Sequence, residues 1–206
     1  MFTGLIEAQG HLITIDERPN GRTLTVQAPA DLVGTLDLGA SIALNGVCTT
    51  VVNRTADTFR VDIGPETLAC TQFAQYTVGQ AFNLERPLLA NSRLGGHLVS
   101  GHVDGCLRLK RKEAEGIAWR LFFELPTLPD HALQLVPKGS IALDGVSLTV
   151  NSVNDDNQTF DVCIIPHTWE VTTLGKLNVG EAIHYETDMI AKYVCRLQQP
   201  FLSRFS

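Results

Sequence analysis

The chain has 206 residues, of which 44% are apolar and 18% charged, and this composition predicts a folded protein with a hydrophobic core. Its 22 acidic and 16 basic residues give a net charge of −6, which argues against binding to nucleic acid or to an anionic membrane surface. One basic run, Arg108–Lys112, is followed by Glu113 and Glu115, and we interpret it as a solvated loop or strand edge.

The N-terminal residues, Met1–Glu7, lack the basic start and long apolar stretch of a signal peptide, and no apolar run approaches the roughly 18 residues of a membrane span. We therefore expect a cytoplasmic protein. The five cysteines are an odd number and are widely spaced, so free thiols are expected rather than a disulfide framework or a CxxC metal site.

The most informative feature is an internal repeat. Residues 41–51, SIALNGVCTTV, align with residues 140–150, SIALDGVSLTV, at 8 identical positions of 11. The alignment extends backward, where 2–7 matches 99–104, and forward, where Phe82–Glu85 matches Ile183–Glu186. The repeat predicts two similar domains, 1–97 and 98–187, followed by a tail at 188–206.

Within each copy, short runs rich in β-branched residues predict strands, for example Leu24–Val26, Thr50–Val52 and Phe59–Ile63. Asn45-Gly46 and Asp144-Gly145 are the strongest signals for tight hairpin turns, because these residue types tolerate positive φ angles. Short strands at this spacing favour two small β-barrels, so the predicted fold class is all-β.

The tail differs from the rest of the chain. Apolar residues at helical spacing, with Asp188 as the N-cap, predict an amphipathic helix that ends at Pro200. The apolar stripe consists of Ile190, Tyr193, Val194 and Leu197. Such a helix can pack on its own barrel or on a neighbouring chain, and the sequence leaves both open.

Two similar pockets suggest two related ligands, and so a reaction between like molecules. Chemistry is then expected where the copies differ: Cys48 against Ser147, Asn45 against Asp144, Leu5 against His102, and Glu66 against His167. Cys48 has no Lys or Arg within five residues to favour its thiolate, so an inert thiol is an alternative to a reactive one. His102 lies in a glycine-rich stretch and is a natural proton carrier, while a metal site of His97, His102 and Asp104 lacks further ligands.

Seven segments in the same order resemble riboflavin synthase of the α-chain type. They are MFTGLIE at 1–7, NGVCTTV at 45–51, PETL at 65–68, RLGGHLVSGHVDG at 93–105, KGSIALDGVSLTVN at 138–151, IPHT at 165–168 and ETDMIAKYV at 186–194. The sequence departs from the family pattern at Thr49, at His184 and in the loop 87–92.

The resemblance implies two six-stranded Greek-key barrels and a C-terminal helix that joins three subunits in a homotrimer. It implies a transferase that moves a four-carbon unit between two molecules of 6,7-dimethyl-8-ribityllumazine, without a metal or organic cofactor. The two substrates would face each other between the N-terminal barrel of one subunit and the C-terminal barrel of its neighbour. The resemblance leaves open whether a lumazine synthase shell encloses the trimer.

By the same resemblance, each barrel has a substrate pocket. The pocket of the N-terminal barrel would be formed by Gly4, Leu5, Ile6, Ser41, Cys48, Thr49, Thr50, Asp62, Ile63, Gly64, Pro65, Glu66 and Thr67. The pocket of the C-terminal barrel would be formed by Gly101, His102, Val103, Lys138, Val146, Ser147, Leu148, Thr149, Cys163, Ile164, Ile165, Pro166, His167 and Thr168. The resemblance implies catalytic roles for Ser41, Cys48, His102, Asp144 and Asp188, with Phe2 packing at the site.

The chemistry of the substrate suggests individual roles. The C7 methyl group of the lumazine is acidic, so His102 or a neighbouring hydroxyl is a candidate base, and Cys48 or Ser41 can add, or guide water to add, at C7 of the second molecule. A non-catalytic lumazine or flavin carrier of the same fold is the alternative function. A flavin-dependent reductase is a third, but its flavin motif and nucleotide domain are absent from the sequence.

Overall fold

A computed structural model of the chain describes the backbone of residues 1–202 and the side chains of residues 1–198. It contains two closed antiparallel barrels of six strands each. The strands of the first barrel are β1 (Ala8–Arg18), β2 (Gly21–Gln27), β3 (Ser41–Leu44), β4 (Val47–Arg54), β5 (Thr58–Ile63) and β6 (Ala81–Glu85). The strands of the second are β7 (Gly105–Glu115), β8 (Ala118–Glu124), β9 (Ser140–Leu143), β10 (Val146–Asn154), β11 (Thr159–Ile164) and β12 (Ala182–Thr187).

The two barrels have the same strand order. In the first barrel it is β1-β2-β5-β4-β3-β6. After β3 and β4 the chain therefore returns to place β5 beside β2, as in a Greek key. The short helices also occur at equivalent places: α1 (Ala30–Val33), α2 (Pro65–Cys70), α3 (Pro129–Leu133) and α4 (Pro166–Val171). The predicted tandem barrels are confirmed.

Alternation of buried and outward-facing side chains along the strands explains how each barrel forms an apolar core. In β5, Phe59, Val61 and Ile63 are buried and the residues between them face outward. Each barrel encloses its own apolar cluster, and a third, smaller cluster between them contains Phe2, Ala43, Val99 and Ala142. The barrels are therefore separate cores joined by a small apolar contact.

The two predicted hairpin turns lie against each other between the barrels. Both residues of each turn have positive φ: 46° and 79° for Asn45 and Gly46, and 44° and 79° for Asp144 and Gly145. A Cβ atom on Gly46 would lie 2.7 Å from the backbone nitrogen of Gly145, and the reverse distance is the same. The contact is possible only with glycine at both positions and defines a pseudo-twofold axis.

Equivalent polar side chains on β6 and β12 cross this axis. The Asn83 side-chain amide donates to the Asp144 carbonyl at 3.0 Å, and its oxygen accepts from the Thr173 backbone N–H at 2.8 Å. On the other side, His184 Nε2 accepts from the Gln72 backbone N–H at 2.9 Å, so Nδ1 is the protonated nitrogen and donates to the Asn45 carbonyl at 3.1 Å. An asparagine and a neutral histidine thus make equivalent bonds between the barrels.

The C-terminal helix α5 (Met189–Leu202) begins where predicted, because Asp188 Oδ1 accepts from the Ile190 N–H at 2.9 Å. The prediction that it ends at Pro200 is wrong: the helix continues to Leu202. A proline removes one hydrogen bond and crowds the preceding turn, which bends a helix near its end without always terminating it. The rest of the predicted tail, residues 203–206, lies outside the described residues.

One side of α5 packs on the second barrel, where Lys192 Nζ donates to Asp104 Oδ1 at 2.6 Å. The predicted apolar stripe faces away from the barrel, with Ile190 and Tyr193 each 65% exposed and Leu197 70% exposed. No helix within residues 1–202 combines the length and apolar character needed to cross a membrane. All five cysteines are free, as predicted.

The contact between the turns generates a prediction. Gly46→Ala combines the cost of a positive φ, about 1–2 kcal/mol, with a clash against Gly145, and should lower the free energy of unfolding by more than about 3 kcal/mol. Gly39→Ala is the matched control, because Gly39 has a φ of 83° but nothing within 4 Å of the added Cβ. Urea unfolding would measure both, and equal losses would contradict the role of the turn contact.

Candidate active site

Side chains on the outer face of the first barrel form one candidate surface. In β4, Thr49 points inward and donates to the Ile42 carbonyl at 2.9 Å, so Cys48 and Thr50 on either side of it point outward. Ser41 on β3 is paired with Thr50, and Ala43 with Cys48. On the other side of β4, Val51 pairs with Val61, which places the outward-facing Asp62 of β5 beside Thr50.

The chain segment before each barrel pairs with the other barrel. The Cys48 N–H donates to the Gly101 carbonyl at 2.8 Å, and the Ser147 N–H donates to the Gly4 carbonyl at 2.8 Å. Between these bonds the two segments pair with each other at Phe2 and Val99. A four-stranded ribbon therefore runs from β4 through residues 99–103 and 2–6 to β10. We call these two stretches the exchanged segments, because each pairs with the barrel that does not follow it in the chain.

This exchange corrects the predicted grouping of the pockets. Gly4–Ile6 was assigned with Cys48, and Gly101–Val103 with Ser147, but Ile6 packs on the core of the second barrel and Val103 on that of the first. Alignment of the repeats shows which positions are equivalent. It does not show which copy of the partner strand each segment contacts.

We name the resulting surfaces by their residues. The first face consists of Ser41, Cys48, Thr50, Asp62 and His102, which is exposed next to the Gly101 that covers Cys48. The second face consists of Gly4, Ser147, Thr149, His97, which contacts Ser147, and Asp188, whose charge acts on His97.

The second face contains a hydroxyl–imidazole pair that the sequence analysis did not identify. His97 Nδ1 lies 2.7 Å from Ser147 Oγ. Burial lowers the pKa of His97, and the charge of Asp188 only partly opposes this, so the ring is neutral near pH 7. His97 lies in the linker 86–98, between β6 and the segment that begins at Val99, and has no equivalent in the first copy, so the repeat gave no signal for it.

The linker also makes the two faces unequal. A Cβ atom on Gly96 would lie 2.1 Å from the Thr3 carbonyl oxygen and 2.9 Å from Ser147 Cβ, so the linker backbone runs directly over Ser147. Beside the first face, an open cavity of about 520 Å³ is lined in part by Ser41, Leu5, Leu89 and Arg93.

Other predicted contact residues fall into two groups. Some lie at or near the outer surface, at the end of β5 or β11, at the start of the following helix, or on a turn: Leu5, Gly64, Pro65, Glu66, Thr67, Lys138, Cys163, Ile165, Pro166, His167 and Thr168. Others have side chains directed toward the barrel interiors and can offer a surface ligand only their backbone: Thr49, Ile63, Val146, Leu148 and Ile164.

Phe2 was expected to pack at the site, and because it is 0% exposed it offers no surface to a ligand on either face. It lies in the cluster between the barrels, where its ring would meet a Cβ atom on Gly101 at 2.8 Å. Phe2 therefore supports the first face from beneath, because an apolar ring at the start of the exchanged segment is most stable when fully covered.

Asp144, predicted to be catalytic, is not brought together with either face. Its buried carboxylate accepts from the His184 backbone N–H at 2.9 Å and lies at a cleft between the barrels. Burial raises the pKa of Asp144 to about 7 and lowers the pKa of His184 to about 4. The perturbation comes from the contact between the barrels rather than from a substrate surface.

Within the described residues, no group of three or more His, Cys, Asp or Glu side chains is arranged to hold a metal ion. The functional groups available on the two faces are hydroxyls, one thiol, imidazoles and carboxylates.

The family model for the lumazine binding domain matches the chain twice, at residues 3–87 and 100–188. The chain is therefore a tandem lumazine-binding protein. Riboflavin synthases from Photobacterium phosphoreum and Bacillus subtilis are each 40% identical to it, covering 96% and 95% of this chain and 88% and 89% of the relative. The riboflavin synthase of Brucella abortus is 40% identical over 97% of this chain and 98% of its own. The chain belongs to the riboflavin synthase family.

Solved structures agree on the fold. The structures of LumP complexed with riboflavin and with 6,7-dimethyl-8-(1'-D-ribityl) lumazine superpose with TM-scores of 0.81 and 0.80, at 22% identity, over 91% of this chain and 99% of LumP.

The buried Asp144–His184 pair generates a prediction, because its members respond to pH in opposite directions. Asp144→Asn leaves a His184 whose pKa in the folded state is below its usual value, so the free energy of unfolding should fall, by on the order of 3 kcal/mol, as pH drops from 6.5 to 4. His184→Asn leaves an Asp144 whose folded pKa is raised, so the free energy of unfolding should instead rise as pH drops from 7 toward 4.

Both variants copy the residue at the equivalent position of the first barrel, Asn45 and Asn83, which limits packing changes. Urea titrations at fixed protein concentration across this pH range would give the two slopes. Slopes of the same sign would show that burial does not set the two pKa values.

Proposed function

We propose that the protein is a riboflavin synthase that converts two molecules of 6,7-dimethyl-8-ribityllumazine into riboflavin and 5-amino-6-(ribitylamino)uracil. One lumazine gives a four-carbon unit to the other. The atoms of the two substrates equal those of the two products, so the reaction needs no net oxidant or reductant, and we propose that it uses no cofactor. The observation that supports this best is the presence of two pseudo-symmetric faces in a member of the riboflavin synthase family, each with its own polar groups.

The first face supplies an imidazole, a thiol and hydroxyls, and a lumazine bound on it would meet a second lumazine held by another subunit. We propose that His102 takes a proton from the C7 methyl group of a bound lumazine, which needs only modest basicity because the anion delocalises into the ring system. Cys48 or Ser41 would add, or direct water to add, at C7 of the acceptor molecule. The exposed position of His102, directly after the Gly101 that covers Cys48, supports these roles.

The second face differs in chemistry. The Ser147 hydroxyl is bonded to His97, and Asp188 is near enough for its charge to affect the ring. Asp188 is kept as a proposed catalytic residue on this basis. Asp144 is assigned to the barrel contact instead, since its carboxylate is 6% exposed and bonded to the backbone of β12.

We further propose that catalysis requires two subunits. The two faces lie on separate barrels related by the pseudo-twofold axis, so each binds one lumazine, and a neighbouring chain would bring the first face of one subunit against the second face of another. Holding the two rings together would supply much of the acceleration, because well-oriented reactants reach effective molarities of about 10⁵ M or more.

The exposed stripe of α5 supports a homotrimer, since about 70% exposure of Leu197 is costly in an isolated chain. The division into domains 1–97, 98–187 and 188–206 belongs to the same proposal and is supported by the two matches to the domain model. Free thiols at all five cysteines support the predicted cytoplasmic location. Association with lumazine synthase stays a prediction from the family resemblance.

A non-catalytic lumazine carrier is the alternative, and LumP has the same fold. We favour the enzyme because the three riboflavin synthases named above are 40% identical to this chain whereas LumP is 22% identical, and because Ser41, Cys48, His102 and Ser147 are all present as polar groups on the two faces.

The reaction itself gives a direct test. Purified protein with the lumazine alone, in the presence of a chelator, should consume two lumazines for each riboflavin formed, as followed by absorbance and chromatography. Binding without turnover would favour the carrier, and activity that required a divalent metal would contradict the cofactor-free reaction.

The role of α5 can be tested with adjacent substitutions. Leu197→Lys should raise the concentration at which the oligomer dissociates by at least about tenfold, because burial of a leucine side chain contributes about 1.5–3 kcal/mol. Gln198→Lys adds the same charge one residue away and should leave dissociation within about twofold. Sedimentation and turnover measured over a dilution series should decline together, while binding of a single lumazine should not. A dissociated Leu197→Lys monomer with full turnover would place the active site within one chain.

A further inference from the structure

Two buried carboxylates occupy equivalent positions at the ends of β6 and β12. Glu85 is 4% exposed and Glu186 is 3% exposed. Neither has a salt bridge in the described part of the chain. Two nearly buried carboxylates without a cationic partner require hydrogen-bond donors.

The donors come from the exchanged segments. Glu186 accepts from the Ser100 N–H at 2.6 Å, the Ser100 hydroxyl at 2.8 Å and the Gly101 N–H at 2.9 Å. Glu85 accepts in the same way from the Thr3 N–H at 2.6 Å, the Thr3 hydroxyl at 2.7 Å and the Gly4 N–H at 2.9 Å.

Each set of donors is a backbone nest that binds an anion. The two successive N–H groups of Ser100 and Gly101, or of Thr3 and Gly4, donate to the two oxygens of one carboxylate, and the two glycines have φ angles of 84° and 75°. A hydroxyl-bearing residue precedes the glycine in both copies, and it supplies the third donor. The repeated geometry makes the carboxylate a fixed part of the ribbon between the barrels.

The residues held in the nest are those that complete the substrate faces. Gly101, held by Glu186 of the second barrel, accepts from the Cys48 N–H of the first barrel and precedes His102. Gly4, held by Glu85 of the first barrel, accepts from the Ser147 N–H of the second barrel. The positioning is therefore crossed: the carboxylate of each barrel holds the segment that completes the face of the other barrel.

We infer that Glu186 is a positioning residue for the first face, where it acts through Gly101 and His102, and that Glu85 is the positioning residue for the second face, where it acts through Gly4. In this arrangement each carboxylate acts through the segment that it holds. The inference rests on the proposed function for its catalytic consequence, and on hydrogen-bond geometry alone for the crossed positioning.

A glutamine cannot replace either carboxylate without loss. Its amide has one acceptor oxygen and one donor nitrogen, so three donors would compete for one oxygen, or an NH2 group would face the Gly101 or Gly4 N–H. A buried donor left without an acceptor costs more than an average hydrogen bond contributes. Glu186→Gln and Glu85→Gln are thus matched variants that loosen one segment each.

Hydrogen exchange at the backbone amides of Cys48 and Ser147 measures the crossed positioning and does not require an active enzyme. Glu186→Gln should speed exchange of the Cys48 amide about tenfold and leave the Ser147 amide within about twofold, and Glu85→Gln should do the reverse. Equal acceleration of both amides in both variants, or no change in either, would overturn the inference.

Should either glutamine variant not fold, Ser100→Ala and Thr3→Ala remove the hydroxyl donor of each nest, together with the bond that the same hydroxyl accepts from the His102 or Leu5 N–H, and should give the same crossed pattern with a smaller amplitude. A pattern that is not crossed in this second pair would also overturn the inference.

A double-mutant cycle tests the catalytic consequence. Glu186→Gln should lower kcat about tenfold in the wild type but less than about twofold in a His102→Gln background, because its effect passes through His102. A purely structural role would give the same loss in both backgrounds. If the wild-type protein had no synthase activity, the proposed function would fail while the exchange pattern still decided the positioning.

Discussion

The backbone contact between the turns at Gly46 and Gly145 sets the relation between the two barrels. Atoms 2.7 Å from the position of a missing Cβ leave no room for any side chain, so the two hairpins must meet along the pseudo-twofold axis. The bonds of Asn83 and His184 across the axis, and the pairing of Phe2 with Val99, are then formed at equivalent positions on its two sides. Loss of this approach would separate the exchanged segments from the strands that they complete.

Exchange of the segments explains why a nearly symmetric molecule has two different surfaces. Cys48 and Ser147 occupy equivalent backbone positions. Gly101, which is followed by His102, covers Cys48, and Gly4, which is followed by Leu5, covers Ser147. The linker then adds His97 to the second face only. Differences in a few side chains, placed on one shared backbone plan, are sufficient to give the two faces different chemical properties.

The sequence predicted the features that depend on local pattern or on the repeat. Asn45-Gly46 and Asp144-Gly145 identified the hairpins because positive φ restricts the residue types, and alternation in segments such as Phe59–Ile63 identified the strands. Features that depend on long-range contacts were not accessible. The repeat aligned Gly4 with Gly101 but could not show that each covers the other barrel, and no pattern in Asp144 indicated that its carboxylate is buried against His184. Glu85 and Glu186 did have a signal, since the alignment placed a carboxylate at the same position in both copies, but its donors lie more than 80 residues away in sequence.

The pseudo-twofold symmetry also bears on how the two faces can differ from each other. An interface in which each half contributes the same turn, the same nest and the same exchanged segment has the form of a contact between two identical single barrels. In a pair of separate identical barrels, any substitution would appear in both faces at once, and a cysteine opposite a serine would be impossible. A single chain that carries both copies is free of that restriction, and the imidazole of His102 at the position equivalent to the isobutyl group of Leu5 is a difference that two identical chains could not have.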